Sequence, residues 1–335
     1  MNKSPRLVAL ETLYSIFYDG SYSNIALDKA LSDIKENKAF ISALVYGVTE
    51  RKITLDYFID KYAQGRIKPK VRIVLWLGAY QLLFMDKVPS SASINESVKL
   101  VKEIKQDYYS KLVNAVLHKI DNDRQIPDDL SVKYSVPENL INMWKKQYGE
   151  DVLNEFLPCI NDKPPLFAIP NKKFVNSDEL LYELECDGIL GEAYDEFVLI
   201  ENANDLTDSK AFKNGLFYIE DLSSFNCANA LDALGDDLVL DMCSAPGGKA
   251  FTISQSMNNS GKIYCYDLHE HRLNLIKNGA KRLSIDNIYT DVNDATVYNE
   301  NIPKADKILC DVPCSGFGII RRKPEIRYKE LDSVK

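Results

Sequence analysis

The chain has 335 residues, of which 45% are hydrophobic and 27% are charged. This composition is typical of a globular protein and excludes a disordered or fibrous chain, and the length favours two domains with room for a small third. The formal net charge is −8, from 41 basic and 49 acidic residues, so any binding of nucleic acid must come from local basic patches and not from bulk charge.

Neither export nor membrane insertion is predicted. The first six residues lack the apolar core of a signal peptide, and the longest apolar run, residues 73–80, is shorter than the ~18 residues that a membrane helix needs. We therefore expect a cytoplasmic protein. The seven cysteines form no CxxC pair, and there are only three histidines. This pattern predicts reduced thiols and no metal site.

Residues 1–125 are predicted to form a helical domain. Apolar residues recur there at helical spacing, and the stretch 73–84 is apolar nearly all round, which places it at the centre of a bundle. Residues 126–235 are mixed, with a helix after Pro137 and a strand at 217–219. We interpret this second region as a small α+β module.

Residues 236–335 alternate between strand and helix. This alternation, with continuously apolar strands, predicts a parallel, doubly wound sheet. Ligands of such sheets bind beyond the carboxyl ends of the strands. The predicted strands are 238–242, 263–267, 288–290 and 307–311. An acid stands at or near the end of each: Asp241, Asp267, Asp291 or Asp294, and Asp311.

The segment 241–249, DMCSAPGGK, lies between a predicted strand and a predicted helix. Cys243 and Ala250 exclude a P-loop, which needs Gly and Ser or Thr at these positions. Paired glycines allow close approach of backbone to a ligand, and a helix start suits an anion. Asp267 follows at about the distance of an acid that binds ribose hydroxyls. The segment suits a nucleoside that carries a carboxylate, such as S-adenosyl-L-methionine; a plain tight turn is the alternative.

The segment 311–316, DVPCSG, places a thiol just past a predicted strand. The Cys314 thiol could add to C6 of a pyrimidine and thereby make C5 nucleophilic enough to take a methyl group. The alternative is a small buried hydrophobic residue, which is what we predict for Cys310.

A basic run follows this segment. Arg321, Arg322 and Lys323, with Arg327 close by, are typical of a solvated basic face. Because the run lies just beyond the thiol segment, it could instead hold phosphates of a nucleic acid.

Together these residues resemble the RNA cytosine-5 methyltransferases of the ribosomal RNA small-subunit methyltransferase B (Sun/Fmu) family. In the N-terminal part, the segments 40–48, 86–89 and 94–98 resemble a NusB-like RNA-binding domain. The resemblance implies a multidomain α and α/β fold with three parts. These are a NusB-like helical bundle (1–125), an α+β linker module that binds RNA (126–235) and a Rossmann-like methyltransferase domain (236–335), incomplete after its fourth strand.

The resemblance also implies a reaction: S-adenosyl-L-methionine-dependent methylation of C5 of a cytosine in 16S ribosomal RNA, through a covalent cysteine–pyrimidine adduct. The partner we expect is 16S ribosomal RNA, for which the position of the basic run makes Arg321, Arg322 and Lys323 candidate contacts. We expect neither a metal nor a membrane as a partner. The implied cofactor-binding residues are Cys243, Ser244, Ala245, Pro246, Gly247, Gly248, Lys249, Asp267, Asp294 and Asp311.

The role of Cys314 differs between the two lines of reasoning. In the family, the attacking thiol belongs to a Thr-Cys motif after a later strand, and the thiol of the proline–cysteine motif assists proton removal and product release. The resemblance therefore gives Cys314 the release role and places the nucleophile beyond Lys335, whereas chemistry alone would make Cys314 the nucleophile. We accordingly expect an incomplete chain.

Two other hypotheses compete with this enzyme. The first is a catalytically inactive form that binds RNA and cofactor. The second is an adenine or guanine N-methyltransferase, which residues 311–314 disfavour because they do not form an Asn/Asp-Pro-Pro-aromatic loop.

Overall fold

A computed structural model describes residues 3–202 and 206–331. The chain divides into two units, one formed by Met1–Pro164 with Cys314–Lys335 and the other by Pro165–Pro313. The predicted division at residues 125 and 235 stays a prediction about domain organisation.

The first unit is helical within the described residues, which was predicted for residues 1–125 only. Its α-helices are α1 (Pro5–Tyr18), α2 (Ser23–Leu31), α3 (Lys38–Tyr62), α4 (Pro69–Phe84), α5 (Ser90–Glu103), α6 (Ser110–Asn122), α7 (Leu130–Tyr134), α8 (Glu138–Tyr148) and α9 (Glu150–Phe156). Short 3-10 helices lie at Asp107–Tyr109, Leu157–Cys159, Phe317–Ile319 and Pro324–Tyr328.

Helix α4 lies at the centre of the bundle, as its nearly all-round apolar sequence predicts. Its residues from Ile73 to Leu77 are buried, and α4 packs against α1, α3, α5 and α6. Gly78 makes the packing with α5 and α6 possible. A Cβ at this position would lie 2.6 Å from Leu117 Cδ1 and 2.8 Å from Ser97 Oγ, closer than packed atoms tolerate.

The second unit contains two four-stranded sheets within the described residues. The first sheet is antiparallel, with strand order β2-β3-β1-β4. Its elements are β1 (Leu166–Pro170), α10 (Ser177–Cys186), β2 (Gly191–Ala193), β3 (Val198–Ile200), α11 (Lys210–Lys213) and β4 (Phe217–Ile219).

The second sheet is parallel, with strand order β7-β6-β5-β8. It follows α12 (Leu222–Asn229) and contains β5 (Leu238–Asp241), α13 (Gly248–Ser256), β6 (Lys262–Asp267), α14 (Glu270–Leu283), β7 (Ile288–Val292) and β8 (Lys307–Leu309). The predicted parallel sheet is confirmed, and among the described strands β8 lies at one edge of it. This strand is shorter than predicted: Cys310 and Asp311 lie past its end.

Both sheets of the second unit share one core. Ile169 of β1 and Tyr218 of β4 belong to the same buried cluster as Val239 and Ile263 of the parallel sheet. Asn171 Nδ2 also donates to the Leu283 carbonyl at the end of α14, at 2.8 Å. The antiparallel sheet therefore supports the parallel sheet directly.

Gly78→Ala tests the close packing around α4. Alanine favours a helix by about 1 kcal/mol over glycine, but its methyl group would overlap Leu117 and Ser97. We expect a net loss of about 1–3 kcal/mol in the free energy of unfolding, measured in urea. In a Leu117→Ala background, where the methyl group has room, the same change should cost less. Equal costs in both backgrounds would contradict the steric explanation.

Candidate functional site

The four parallel strands end at one edge of their sheet, and an acidic residue lies at or just past each end. Asp241 ends β5 and Asp267 ends β6, while Asp294 and Asp311 lie two residues past β7 and β8. Strand β5 lies between β6 and β8. The strand order reverses there, because β6 and β7 lie on one side of β5 and β8, the next strand in the chain, lies on the other. This is the point where open α/β sheets bind their ligands.

The loop after β5 leads directly into α13. The Ser244 N–H donates to the carbonyl of Tyr266 in β6 at 2.8 Å, which fixes the loop to the neighbouring strand. Gly247 has φ +110°, which L side chains rarely adopt, and α13 begins at Gly248. The unpaired N–H groups of the first helical turn therefore lie at the same sheet edge as the acids.

Three buried polar atoms at this edge have no hydrogen-bond partner among the described residues. They are Asp241 Oδ1, Ser244 Oγ and Asn293 Nδ2. Leaving such an atom unpaired costs about 1–3 kcal/mol. Burial also raises the pKa of Asp241 to about 6. A polar ligand that supplies the missing partners would remove this cost, so this edge is a candidate binding site.

An ion pair joins Lys249, in the first turn of α13, to Asp311 in the segment after β8. Lys249 Nζ lies 2.7 Å from Asp311 Oδ2. Burial is the largest single influence and would lower the pKa of Lys249. The hydrogen bond to Asp311 and the negative charges of Asp311, Glu220 and Asp241 together outweigh it, so the pKa is raised. Lys249 therefore remains an ammonium group and connects two of the predicted site segments.

Arg272 is a site residue that the sequence analysis missed. Its Nη1 lies 3.0 Å from Oδ2 of the buried Asp267, and its Nη2 donates to the carbonyl of Ala245 at 2.8 Å. The Asp267 carboxylate also accepts the His269 N–H at 3.1 Å. Arg272 thus connects the predicted ribose-binding acid to the glycine loop. Its position in the first turn of α14, five residues after Asp267, was the available signal.

Asp294 lies on an open groove of about 540 Å³. Its Oδ1 accepts hydrogen bonds from the backbone and hydroxyl of Thr296, at 2.9 and 2.7 Å, which lowers the pKa of Asp294. The groove also has apolar walls at Leu268 and Val292, which are both exposed. An acid beside two exposed aliphatic side chains suits a flat ring with polar edges.

Glu220 is a second residue that the sequence analysis missed. Its side chain is buried, its Oε2 accepts from Thr252 Oγ1 at 2.6 Å, and a Cβ at Gly248 would lie 2.9 Å from its Oε1. Burial raises the pKa of Glu220 to about 7. Glu220 therefore places a titratable carboxyl group beside the start of α13. It follows a short strand of the other sheet, so no spacing within the methyltransferase segment could indicate it.

The predicted cysteines occupy different environments. Cys243 in the glycine loop is partly buried, and burial raises the pKa of its thiol. Cys310 is exposed, so the prediction of a small buried residue is wrong there, because the strand ends at Leu309. Cys314 is also exposed and belongs to the first unit.

The basic run likewise belongs to the first unit. Arg321, Arg322 and Lys323 are partly buried, and Arg321 Nη2 donates to the carbonyl of Lys163 at 2.9 Å. Arg327 is only 1% exposed, so its inclusion in a solvated basic face is wrong.

No helix within residues 3–202 and 206–331 is long and apolar enough to cross a membrane. In the same part of the chain, no group of three or more His, Cys, Asp or Glu side chains could hold a metal ion.

Comparison with known proteins identifies both parts of the chain. Residues 3–122 match the NusB family, and residues 228–333 match the family described as 16S rRNA methyltransferase RsmB/F. The probable ribosomal RNA small subunit methyltransferase B of Bacillus subtilis is 33% identical over 97% of this chain and 76% of its own length. The corresponding protein of Synechocystis is 29% identical over 99% of this chain and 79% of its own length.

The crystal structure of PH0851 is similar over the whole of this chain and 80% of its own, with 25% identity and a TM-score of 0.77. A NusB-like helical domain joined to a Rossmann-like methyltransferase sheet defines a ribosomal RNA methyltransferase, which needs a methyl donor. The chain belongs to the ribosomal RNA small subunit methyltransferase B family. The resemblance found in the sequence is thereby confirmed.

Glu220→Gln tests the buried carboxyl group. A folded-state pKa of about 7, against 4.5 in the unfolded chain, destabilises the fold as the pH rises between these values. The glutamine keeps the acceptor for Thr252 and cannot ionise. We expect it to stabilise the second unit by about 3 kcal/mol at pH 8 and by much less at pH 4.5. Urea unfolding at both pH values measures this difference.

Asp286→Asn, at an exposed carboxylate, is the control and should change the free energy of unfolding at neither pH. A pH-independent effect of Glu220→Gln would contradict the assignment.

Proposed function

We propose that this protein binds S-adenosyl-L-methionine at the carboxyl edge of the parallel sheet and uses it to methylate C5 of a cytosine in 16S ribosomal RNA. The observation that carries the cofactor assignment is the set of buried, unpaired atoms Asp241 Oδ1, Ser244 Oγ and Asn293 Nδ2. These atoms lie at the same sheet edge as the glycine loop and the acids, where a polar ligand could supply their missing partners.

The residues at this edge fit the parts of the cofactor in order. The segment Cys243–Lys249, with the N-terminus of α13, would hold the methionyl carboxylate, since helix starts bind anions. Asp311, paired with Lys249, would orient the methionyl end or the target base. Asp267 would accept the ribose hydroxyls, while Asp294 and the groove beside it would receive the adenine. When bound, the cofactor supplies an activated methyl group.

Methylation at C5 requires activation of the base by a thiol, because C5 of cytosine is a weak nucleophile. A cysteine thiolate adds to C6, the C6–S bond forms, and the electron pair of the C5–C6 bond makes C5 nucleophilic. After C5 has gained the methyl group, its proton is removed, the double bond re-forms and the C6–S bond breaks. The family resemblance gives proton removal and release to Cys314, which follows Asp311 by three residues.

The substrate would be held through the first unit. Its N-terminal helices match the NusB family, and Arg321, Arg322 and Lys323 belong to the same unit. With a net charge of −8, the protein needs such local cations to bind phosphates.

Asp267→Asn tests the cofactor site. The amide removes the charge that would accept two ribose hydroxyls but keeps the shape of the side chain. Because hydrogen bonds to a charged group contribute about 1.5–3 kcal/mol, we expect the affinity for S-adenosyl-L-methionine to fall at least about tenfold. Isothermal calorimetry measures this change. Asp286→Asn should bind as the unaltered protein does, and unchanged binding by Asp267→Asn would contradict the assignment.

Cys314→Ala tests whether the Cys314 thiol acts as the nucleophile or in product release. The variant is made in the protein as its gene encodes it and mixed with cofactor and 16S RNA. If Cys314 acts in release, its loss should trap a covalent protein–RNA adduct, seen as a slower band on a denaturing gel. If Cys314 is the nucleophile, no adduct should form.

Cys310→Ala is the matched control, since Cys310 is an exposed thiol four residues earlier. It should release its product normally. If the unaltered protein binds the cofactor but produces no 5-methylcytosine in unmodified 16S RNA, the proposed reaction is wrong and the inactive binding form is favoured.

A further inference from the structure

The segment that follows Cys314 is anchored in the helical unit by charged residues. Residues 314–331 share a unit with residues 3–164, and the two hydrophobic residues Ile320 and Ile326 are 3% exposed within a cluster that includes Trp144 of α8. Apolar packing of this kind holds a segment in place but specifies its register weakly, because aliphatic contacts are not directional.

Arg327 supplies the directional contacts. Its side chain is 1% exposed, and it is one of the largest fully buried side chains in the described part of the chain. Its Nη1 donates to the carbonyls of Glu50 and Ser135, both at 3.1 Å, and to Asn161 Oδ1 at 3.0 Å. These acceptors lie in α3, just after α7, and just after the 3-10 helix Leu157–Cys159. One guanidinium group thus joins three separate parts of the helical unit.

Two neighbours of Arg327 make further contacts of the same kind. Glu325 Oε1 accepts the N–H of Ser23, the first residue of α2, at 3.0 Å. The Tyr328 hydroxyl donates to the carbonyl of Thr49 in α3 at 2.7 Å. Both contacts use backbone groups of the helical unit, so the segment is held by directed bonds along its whole 3-10 turn.

The burial of Arg327 is costly for the fold. Its Nε and Nη2 are buried without a hydrogen-bond partner among the described residues, and no described carboxylate lies within ion-pair distance of it. Removing the guanidinium would leave its three oxygen acceptors without this donor, which is costly in turn. An apolar side chain could fill the space, but it could not supply the directed bonds that hold the segment in one register.

We infer that Arg327 is a positioning residue, which fixes the segment 314–331 to the helical unit and thereby sets the backbone that carries Cys314. This inference rests on the proposed role of Cys314 in the reaction. Within the first unit, these directed contacts would then determine where the backbone at Cys314 lies. The hydrogen bonds of Arg327 differ from those within a local turn, because its acceptors belong to three parts of the helical unit that are remote from it in the sequence.

Arg327→Met tests the inference without using activity. Trypsin cleaves after Arg321 and Arg322 only when this segment leaves its packed position. In the variant, we expect cleavage there to accelerate about tenfold or more, while circular dichroism and urea unfolding show a folded protein. Arg124→Met, which loses only surface contacts to Asp121 and Ser90, is the control and should be cleaved as slowly as the unaltered protein.

The same variants then test the catalytic consequence in the protein as its gene encodes it. A displaced thiol should lower kcat about tenfold or more, leave the affinity for S-adenosyl-L-methionine unchanged and cause the protein–RNA adduct to accumulate. Arg327→Lys, which keeps the charge, should restore part of kcat. If Arg327→Met does not fold, Tyr328→Phe removes one bond of the same set and should show the same pattern more weakly.

The outcomes separate the two proposals. Unchanged proteolysis and unchanged kcat in Arg327→Met would overturn the positioning role. Faster proteolysis with normal kcat would show that the segment is anchored but that its register does not matter for the reaction, which would also overturn the role. If Cys314→Ala has no effect on the reaction while Arg327→Met is cleaved faster, the proposed role of Cys314 fails and the anchoring alone stands.

Discussion

The site depends on the parallel pairing of β5 with both of its neighbours. The register sets Asp241 of β5 beside Cys265 of β6 and Leu309 of β8. Because parallel strands all run in one direction, every loop that follows them must emerge at the same edge. This edge therefore brings together the glycine loop, the ribose-binding candidate Asp267 and the Asp311 segment. No separate contact between distant parts of the chain is needed to bring them there.

The same constraint explains why so much of this edge could be predicted from the sequence. Apolar strands ending in acids are a local pattern, and their meeting point follows from strand direction alone. What depends on side-chain packing was missed. Arg272 connects Asp267 to Ala245, and Glu220 reaches α13 from the antiparallel sheet. For Arg272 the only signal was its position five residues after Asp267, and for Glu220 no spacing in the sequence could indicate the contact.

The two wrong predictions have a common origin in the assumption that a residue's surroundings follow from its neighbours in the chain. Cys310 was expected to continue a buried strand, but β8 ends one residue earlier and leaves the thiol exposed. Arg327 was grouped with nearby cations, yet its guanidinium lies among carbonyls of the helical unit. Where a strand ends and which charge is buried are decided by tertiary packing, which overrides local composition.

The acceptors of Arg327 also have an evolutionary consequence. Two of them, at Glu50 and Ser135, are main-chain carbonyl oxygens, which every amino acid possesses. Either side chain can be exchanged without removing the main-chain oxygen, so these two hydrogen bonds place no demand on which amino acid stands at position 50 or 135. Correlated substitutions between aligned sequences would consequently pass over this link, although it joins parts of the chain almost 280 residues apart.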